Sequence, residues 1–199
     1  MVFVLDTSEG MGDKPGYRAE DLVPPDVRAR GGKDLEEWKA IRTRLDHARC
    51  HLVRAIRALP ADASFDVMFG GESANALFRN LEPATGENRE KAVGRLRGLN
   101  GKQRQDFLRL IRAAMAGQPD GDPVSAEAFR DGADAVVYLG TALPSFGAEL
   151  DSGRIASTVR RWNRVRQVQF LGLGVGTHGQ GLLADLASGP PLGASGGIP

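Results

Sequence analysis

The chain opens with Val2–Gly10, VFVLDTSEG, in which a short apolar run ends on a carboxylate. A continuous apolar run of this length is typical of a strand that is buried on both faces of a parallel sheet. In open α/β sheets, ligands bind beyond the carboxyl ends of the strands. Asp6 and Ser8 therefore lie where a metal ion or an anion could be held.

Strand and helix patterns alternate after this opening. Residues 9–33 hold Gly, Pro and charge without periodicity, which predicts a long irregular loop. From Asp34 to Leu59, apolar residues recur every three or four positions, which predicts one amphipathic helix of about seven turns. Two apolar runs, Phe65–Phe69 and Asn75–Phe78, are joined by a short connection, which predicts a hairpin and hence one antiparallel edge strand.

The second half of the chain continues the alternation of strands and helices. The predicted helices there carry the apolar residues of Val93–Leu99, Phe107–Met115, Ile155–Trp162 and Leu182–Ala187, and the predicted strands are Ala135–Gly140 and Val168–Val175. Residues 117–132 are predicted to be mostly loop, and the Gly- and Pro-rich tail, residues 188–199, to be irregular. Trp38 and Trp162 fall on the apolar stripes of two helices and are expected to pack against the sheet.

This order of elements predicts an α/β fold, a single domain over residues 1–199. We expect a doubly wound, mostly parallel sheet with one antiparallel edge strand and helices on both faces. The expected parallel central strands are Val2–Leu5, Val67–Phe69, Val136–Leu139 and Phe170–Leu173, with Asn75–Phe78 antiparallel at an edge.

Composition narrows the possible functions. The chain has 199 residues, 41% of them hydrophobic, which is enough for one well-buried domain. The net charge of +1 creates no global field toward nucleic acid or anionic lipid. The single cysteine, Cys50, excludes an internal disulfide.

No run approaches the roughly 18 to 20 apolar residues of a membrane span, and no basic leader precedes the first strand, so we expect no membrane insertion and no signal peptide within this chain. The cellular compartment is not indicated.

Several of these segments resemble a von Willebrand factor A domain, and the resemblance covers nearly the whole chain. The first loop is similar to the family's Asp-x-Ser-x-Ser pattern, with Gly10 in place of the last Ser. The resemblance is closest to a bacterial subgroup. The further segments that carry it are Asn88-Arg89, Val159–Asn163 (VRRWN), Val168–Gly176 and Leu182–Ala187. The resemblance implies a Rossmann-like fold.

The resemblance also implies a metal-ion-dependent adhesion site, in which two Ser, two Asp and a Thr hold a divalent cation that takes an acidic group from a partner. This chain departs from that pattern at three positions. Gly10 replaces a Ser, Lys102 of the Asn100–Gln103 segment stands where the Thr is expected, and Thr141 replaces the second Asp. Each lost oxygen matters to a hard cation, and a protonated lysine cannot bind one. The resemblance thus implies a degenerate site without a metal or other cofactor.

The residues expected to bind a ligand are Asp6, Ser8, Glu9, Lys102 and Thr141, with Asp6 and Ser8 as metal ligands if a metal binds at all. Two hypotheses stay open for Lys102. Its ammonium could fill the metal position and neutralise Asp6, because an ion pair offsets the cost of a buried charge. Alternatively, Lys102 points to solvent and Asp6 caps a nearby backbone amide.

Two further candidate sites each contain only some of the residues that such a site requires. His47 and His51 lie four residues apart with Cys50 between them, which places both imidazoles on one helical face and resembles half of a zinc site. The Arg160–Arg166 segment carries four arginines around Trp162, which could contact phosphate or an acidic partner. No catalytic arrangement is evident, because no serine sits on a nucleophile elbow and no carboxylate pair has acid and base roles.

The resemblance therefore implies a protein–protein interaction module that binds an unidentified protein partner, without catalysis, through the loops around Asp6, Lys102 and Thr141. Two alternatives remain. One is a Mg²⁺-dependent receptor in which Glu9 or Asp106 supplies the lost oxygens. The other is a phosphate- or RNA-binding module that uses the Arg160–Arg166 cluster, although nucleic acid is the less expected partner at this net charge.

Overall fold

The computed structural model of the chain describes residues 1–70, 73–78, 80–102, 104, 106–125, 128, 132–175 and 180–188. The strands of the described residues are β1 Val2–Asp6, β2 Ser64–Gly70, β3 Ala74–Ala76, β4 Glu82–Pro83, β5 Ala135–Gly140 and β6 Gln169–Gly174. The helices are α1 Ala19–Leu22, α2 Pro25–Arg30, α3 Gly32–Lys39, α4 Arg44–Ala58, α5 Gly86–Arg97, α6 Phe107–Ala116, α7 Ser152–Arg166 and α8 Gln180–Ala187. Glu9–Gly12 forms a 3-10 turn. Most of the predicted tail, from residue 189 on, lies outside the described residues.

The sheet has the order β3-β2-β1-β5-β6, with β1 parallel to β2 and β5, and β5 parallel to β6. At one edge, β3 pairs antiparallel with β2. These pairings confirm the predicted doubly wound, mostly parallel sheet with an antiparallel edge strand.

Two details of the sheet correct the prediction. First, β6 pairs only with β5 among the described residues, so Phe170–Leu173 is an edge strand and not a central one. Second, β4 adds an antiparallel pairing with the start of β2 that the sequence did not predict. A strand of two residues is too short to show an alternating apolar pattern.

The side chains of β1 alternate between the two faces of the sheet, and each face is covered by helices. Val2 and Val4 join a buried cluster with residues of α6, α7 and α8. Phe3 and Leu5 join a second cluster with residues of α4 and α5. Because β1 is buried on both faces, its continuous apolar sequence follows from its central place in the sheet.

The segment between β1 and β2 is more helical than its sequence indicates. The predicted loop over residues 9–33 contains the 3-10 turn, α1 and α2, and α2 begins with Pro25 at its first position. The predicted long helix is two helices, α3 and α4, separated by residues 40–43. The break has a local cause, since Thr43 Oγ1 accepts from the Asp46 amide at 3.1 Å and the Asp46 carboxylate accepts from the Thr43 amide at 3.0 Å. This capping box begins a new helix even though the apolar repeat continues across it.

The two tryptophans differ from each other in their surroundings. Trp38 is only 3% exposed, but it packs in a small cluster with Val23, Val27 and Ile41, so the prediction that it packs on the sheet is wrong. Trp162 is half-buried against the cluster that contains Val2 and Val4. Among the described residues, we find no helix with both the length and the apolar character to cross a membrane.

Candidate functional site

The carboxyl ends of β1 and β5 meet at one edge of the sheet because the two strands are adjacent and parallel, with Leu5 beside Leu139. Asp6 ends β1, and Thr141 directly follows β5. The loop before α6 joins them there, since the Lys102 amide donates to the Thr7 carbonyl oxygen at 3.2 Å. The structure thus brings together the three segments that the sequence predicts to form the site.

Asp6 is completely buried, and the chain itself supplies hydrogen bonds to both of its carboxylate oxygens. Oδ1 accepts from the Ser8 amide at 2.8 Å. Oδ2 accepts from the Thr141 amide at 3.1 Å, from Thr141 Oγ1 at 2.9 Å and from the Tyr138 hydroxyl at 3.2 Å. A buried carboxylate is costly unless it is hydrogen-bonded, and these four donors compensate for its lost hydration.

The turn after β5 is shaped to fit around Asp6. A Cβ at Gly140 would overlap the Asp6 Cβ and would lie 2.8 Å from the Tyr138 hydroxyl oxygen, so only glycine fits there. Ala142 has a φ of +51°, in the left-handed region, and its amide donates to the Tyr138 hydroxyl at 3.2 Å. This conformation is strained for alanine. The amides of two successive residues thereby point inward at the hydrogen-bond network of Asp6.

A second close approach holds the loop before α6 against the first loop. A Cβ at Gly101 would lie 2.8 Å from the Ser8 carbonyl oxygen and 3.1 Å from the Gly12 amide nitrogen. A side chain at position 101 would therefore push this loop away from the 3-10 turn. The contact fixes the backbone of Lys102 beside that of Thr7.

Lys102 does not reach Asp6 with its side chain. The side chain is exposed, and it forms no ion pair with any other described residue. The ion pair expected under the first hypothesis, between the Lys102 ammonium and Asp6, is therefore not formed. It shows the alternative, in which Lys102 points to solvent and Asp6 caps the Ser8 amide. Burying the ammonium would require desolvation, and Asp6 is already satisfied by neutral donors.

The other predicted ligand residues are spread over this edge of the sheet. Ser8 is buried, whereas Glu9 is exposed in the 3-10 turn. Asp106 is the N-cap of α6, with Oδ1 accepting from the Arg109 amide at 3.0 Å, and its carboxylate lies against Gly147. Over the residues that the structure describes, no three side chains of His, Cys, Asp or Glu converge as metal ligands.

Tyr138 and Gly140 are site residues that the sequence reasoning missed. Both lie in β5, whose apolar run by itself indicates only a buried strand. Tyr138 pairs with Val4, two residues before Asp6, so their side chains share a face of the sheet. The hydroxyl-bearing residue in an otherwise apolar strand was the available signal, because a buried hydroxyl needs a polar partner.

The predicted histidine pair does form on α4. The Nε2 atoms of His47 and His51 are 3.0 Å apart, and the Tyr17 hydroxyl lies 2.8 Å from His47 Nδ1. Cys50 takes another direction, toward the Glu37 carbonyl oxygen at 3.9 Å. Burial raises the pKa of the Cys50 thiol to about 12, so it stays protonated and is a poor metal ligand.

The four arginines of the Arg160–Arg166 cluster do not form one free basic face. Arg160 donates to the Asp185 carbonyl oxygen at 2.8 Å and pairs with its carboxylate at 3.4 Å. Arg166 donates to the Ala133 carbonyl oxygen at 3.1 Å. Two of the four therefore tie α7 to its neighbours, and Arg161 and Arg164 are exposed. This arrangement weakens the phosphate- or RNA-binding alternative.

The sequence matches no model of a known protein family and no curated protein. Its fold, however, is similar to those of several solved structures. BatB from Bacteroides thetaiotaomicron matches with a TM-score of 0.54 and 13% identity, over 94% of this chain and 83% of BatB. The manganese-loaded TRAP protein of Plasmodium vivax matches with a TM-score of 0.57 and 12% identity, over 98% of this chain and 64% of TRAP.

A third similar structure is proximal thread matrix protein 1 from the mussel byssus, with zinc in its MIDAS motif, the metal-ion-dependent adhesion site described above. It matches with a TM-score of 0.52 and 9% identity, over 94% of this chain and 40% of the mussel protein. The chain thus spans less than two thirds of the lengths of TRAP and the mussel protein. At such identities the likeness concerns the fold alone. The chain has a von Willebrand factor A-like fold.

Proposed function

We propose that this domain is a non-catalytic protein–protein interaction module that recognises its partner without an obligatory cation. Its binding surface is the apical surface, defined as Glu9–Gly12, residues 99–102 and residues 141–150 at the carboxyl ends of the strands. The observation that carries the proposal is the closed set of hydrogen bonds around Asp6. A fold alone does not determine a function, whereas the hydrogen bonds around Asp6 are a specific feature of this chain.

A hard divalent cation fits these residues poorly. Mg²⁺ requires near-octahedral oxygen ligands at about 2.0–2.1 Å. Both Asp6 oxygens already accept hydrogen bonds, and the Thr141 hydroxyl directs its proton at Asp6. Gly10 has no side chain to contribute, and Lys102 adds a positive charge at the rim. A cation would have to break the existing hydrogen bonds without enough oxygen ligands to replace them.

The apical surface has the mixture of groups that protein interfaces use. Leu143 is 41% exposed, although a large apolar side chain is usually buried. The charged side chains of Glu9 and Lys102 are also exposed on this surface. The guanidinium of Arg104, which lies just beyond residues 99–102, stacks over the ring of Phe146 at 4.4 Å and so contacts the 141–150 loop of this surface. Protein–protein contacts combine apolar and polar groups in this way.

The cation part of the proposal is tested by thermal unfolding. Millimolar Mg²⁺ or Mn²⁺ should leave the melting temperature of the wild type unchanged, because only a ligand that binds the native state raises it. The converse experiment restores oxygen ligands for the cation, by combining Gly10→Ser, Lys102→Thr and Thr141→Asp in one variant. A Cβ at Gly10 meets nothing within 4 Å, so serine fits there. The triple variant should be less stable alone, since it buries a second carboxylate beside Asp6, and Mg²⁺ should raise its melting temperature.

Saturable stabilisation of the wild type by Mg²⁺ that Asp6→Ala removes would contradict this part of the proposal. The Mg²⁺-dependent receptor would then be the better description. Stabilisation that persists in Asp6→Ala would place the cation elsewhere on the chain.

The binding surface is tested by capture of partners from an extract of the source organism, with a chelator present throughout. Leu143→Asp should lose the partner that the wild type captures. Leu171→Asp is the matched control, because Leu171 is also exposed but lies on the edge strand β6. Equal capture by both variants would show that the apical surface is not the contact, and loss of capture in chelator would show that a cation is needed.

A further inference from the structure

We propose that His47 and His51 form a binding site for a divalent transition metal of the nickel and copper class, separate from Asp6. The two residues lie one turn apart on α4, which brings both imidazoles to one face. Their Nε2 atoms are 3.0 Å apart. The site consists of these two nitrogens, with water completing the coordination.

The separation of the two nitrogens matches a shared metal. Bonds from imidazole nitrogen to such metals are about 2.0–2.1 Å long. Two bonds of that length at a right angle place the nitrogens about 2.9 Å apart, whereas a tetrahedral angle requires about 3.3 Å. The observed 3.0 Å is closer to the right angle. Right angles belong to the tetragonal geometry of Ni²⁺ and Cu²⁺, and these ions also bind nitrogen sites more tightly than Mn²⁺, Fe²⁺ or Co²⁺.

The orientation of the rings agrees with a common ligand on one side of both. The ring centres are 4.8 Å apart, and the ring planes are inclined by 60°. If the two Nε2 atoms pointed straight at each other, the distance between the ring centres would exceed the distance between the Nε2 atoms by two ring radii. The observed excess is smaller, only 1.8 Å, the difference of 4.8 and 3.0 Å. The imidazoles therefore meet at an angle and not head-on.

Neighbouring side chains hold both rings in place. The Tyr17 hydroxyl contacts His47 Nδ1 at 2.8 Å, which leaves Nε2 as the nitrogen that faces His51. The Trp38 ring packs edge-on against His51 at 4.9 Å and against His47 at 6.0 Å. Metal-bound histidines usually have such a partner on the second nitrogen, because it fixes the ring orientation.

The protonation state of the pair also suits a metal. Burial, together with the neighbouring charge of His51, lowers the pKa of His47 to about 4. Burial, followed by the positive charge of Arg54, lowers the pKa of His51. Both rings are therefore neutral near pH 7, and a metal does not have to displace a proton from an imidazolium. The His51 side chain is half-buried and so remains partly exposed to solvent.

The simpler account of the same geometry is a hydrogen bond from one Nε2–H to the other Nε2. Titration of the untagged protein with Ni²⁺ at pH 7.5 separates the two accounts. A metal site predicts saturable binding of one Ni²⁺ per chain, seen by calorimetry. It also predicts a melting temperature raised by about 5–10 °C at a hundredfold excess over Kd.

Variants locate the bound Ni²⁺. His51→Gln should weaken binding at least tenfold, and Tyr17→Phe should weaken it about tenfold by releasing the His47 ring. His178→Gln is the matched control, because His178 is the third histidine of the sequence, and it should bind as the wild type does. The melting temperature of each variant without metal shows that it is folded.

Two results would overturn the proposal. Unchanged Ni²⁺ affinity in His51→Gln would show that the ion binds elsewhere, and the absence of saturable binding below millimolar Ni²⁺ would leave the pair as a hydrogen bond. Loss of Ni²⁺ binding in Asp6→Ala with retention in His51→Gln would assign the ion to the apical surface. The interaction proposed above is tested by different measurements, namely Mg²⁺ stabilisation and partner capture. The two proposals can therefore fail independently.

Discussion

The Thr141 hydroxyl is the part of the Asp6 network that can be removed with the least disturbance. Thr141→Val keeps the branched shape of the side chain and deletes the hydrogen bond from Oγ1 to Asp6 Oδ2. Thr141 is buried, so water cannot replace the lost donor. The variant therefore measures how much of the cost of burying Asp6 is offset by this hydroxyl.

The expected magnitude follows from the charge of the acceptor. Hydrogen bonds to charged groups contribute about 1.5–3 kcal/mol. Oδ2 keeps two other donors, the Tyr138 hydroxyl and the Thr141 amide, so the loss should lie in the lower half of that range. We expect the free energy of unfolding to fall by about 2 kcal/mol, and the melting temperature by about 4–8 °C for a chain of this size.

Urea titration at pH 7 measures this loss, with an unchanged slope as the sign that the transition stays two-state. Thr158→Val is the matched control, because Thr158 is a half-buried threonine on α7, away from Asp6, and it should change stability by less than about 0.5 kcal/mol. The same Thr141 change is then made in an Asp6→Asn background, where most of its cost should disappear. A loss below about 0.5 kcal/mol, or an equal loss in both backgrounds, would refute the interpretation of Asp6 as a hydrogen-bonded buried charge.

Two further predictions concern groups away from the site. Burial raises the pKa of Asp66 to about 6, so the native state holds a proton that the unfolded chain releases near pH 4, and stability falls as the pH rises through this window. From pH 4 to pH 7 the wild type should lose about 2 kcal/mol of its free energy of unfolding relative to Asp66→Asn, as measured by urea titration at each pH. A difference between the two proteins that does not change with pH would contradict the raised pKa. Trp38→Ala should cost about 3–5 kcal/mol in the same assay, and Trp162→Ala less than half of that because Trp162 is only half-buried. Equal costs for the two tryptophans would refute this assignment of their burial.

The elements of this fold could be predicted from the sequence because the signals for them are local. β1, β5 and α6 each show their burial in the spacing of neighbouring apolar residues. The long helix over residues 34–59 was predicted wrongly because the apolar spacing continues across a break that the Thr43 capping box makes. The two hydrogen bonds of the capping box set the start of α4. The apolar spacing indicates which residues are buried, but it does not indicate where the backbone turns.

The sequence by itself placed Asp6 and Thr141 at the ends of buried strands, and thus at one edge of a parallel sheet. It did not decide what surrounds Asp6. Tyr138 and Asp6 are 132 residues apart, and they meet only because β1 and β5 pair with Val4 beside Tyr138. The outward direction of Lys102 likewise depends on a backbone contact with Thr7 across two loops. Strand register and loop packing are set by contacts between distant segments, so only the tertiary structure decides that neutral donors, and not the lysine, compensate this buried charge.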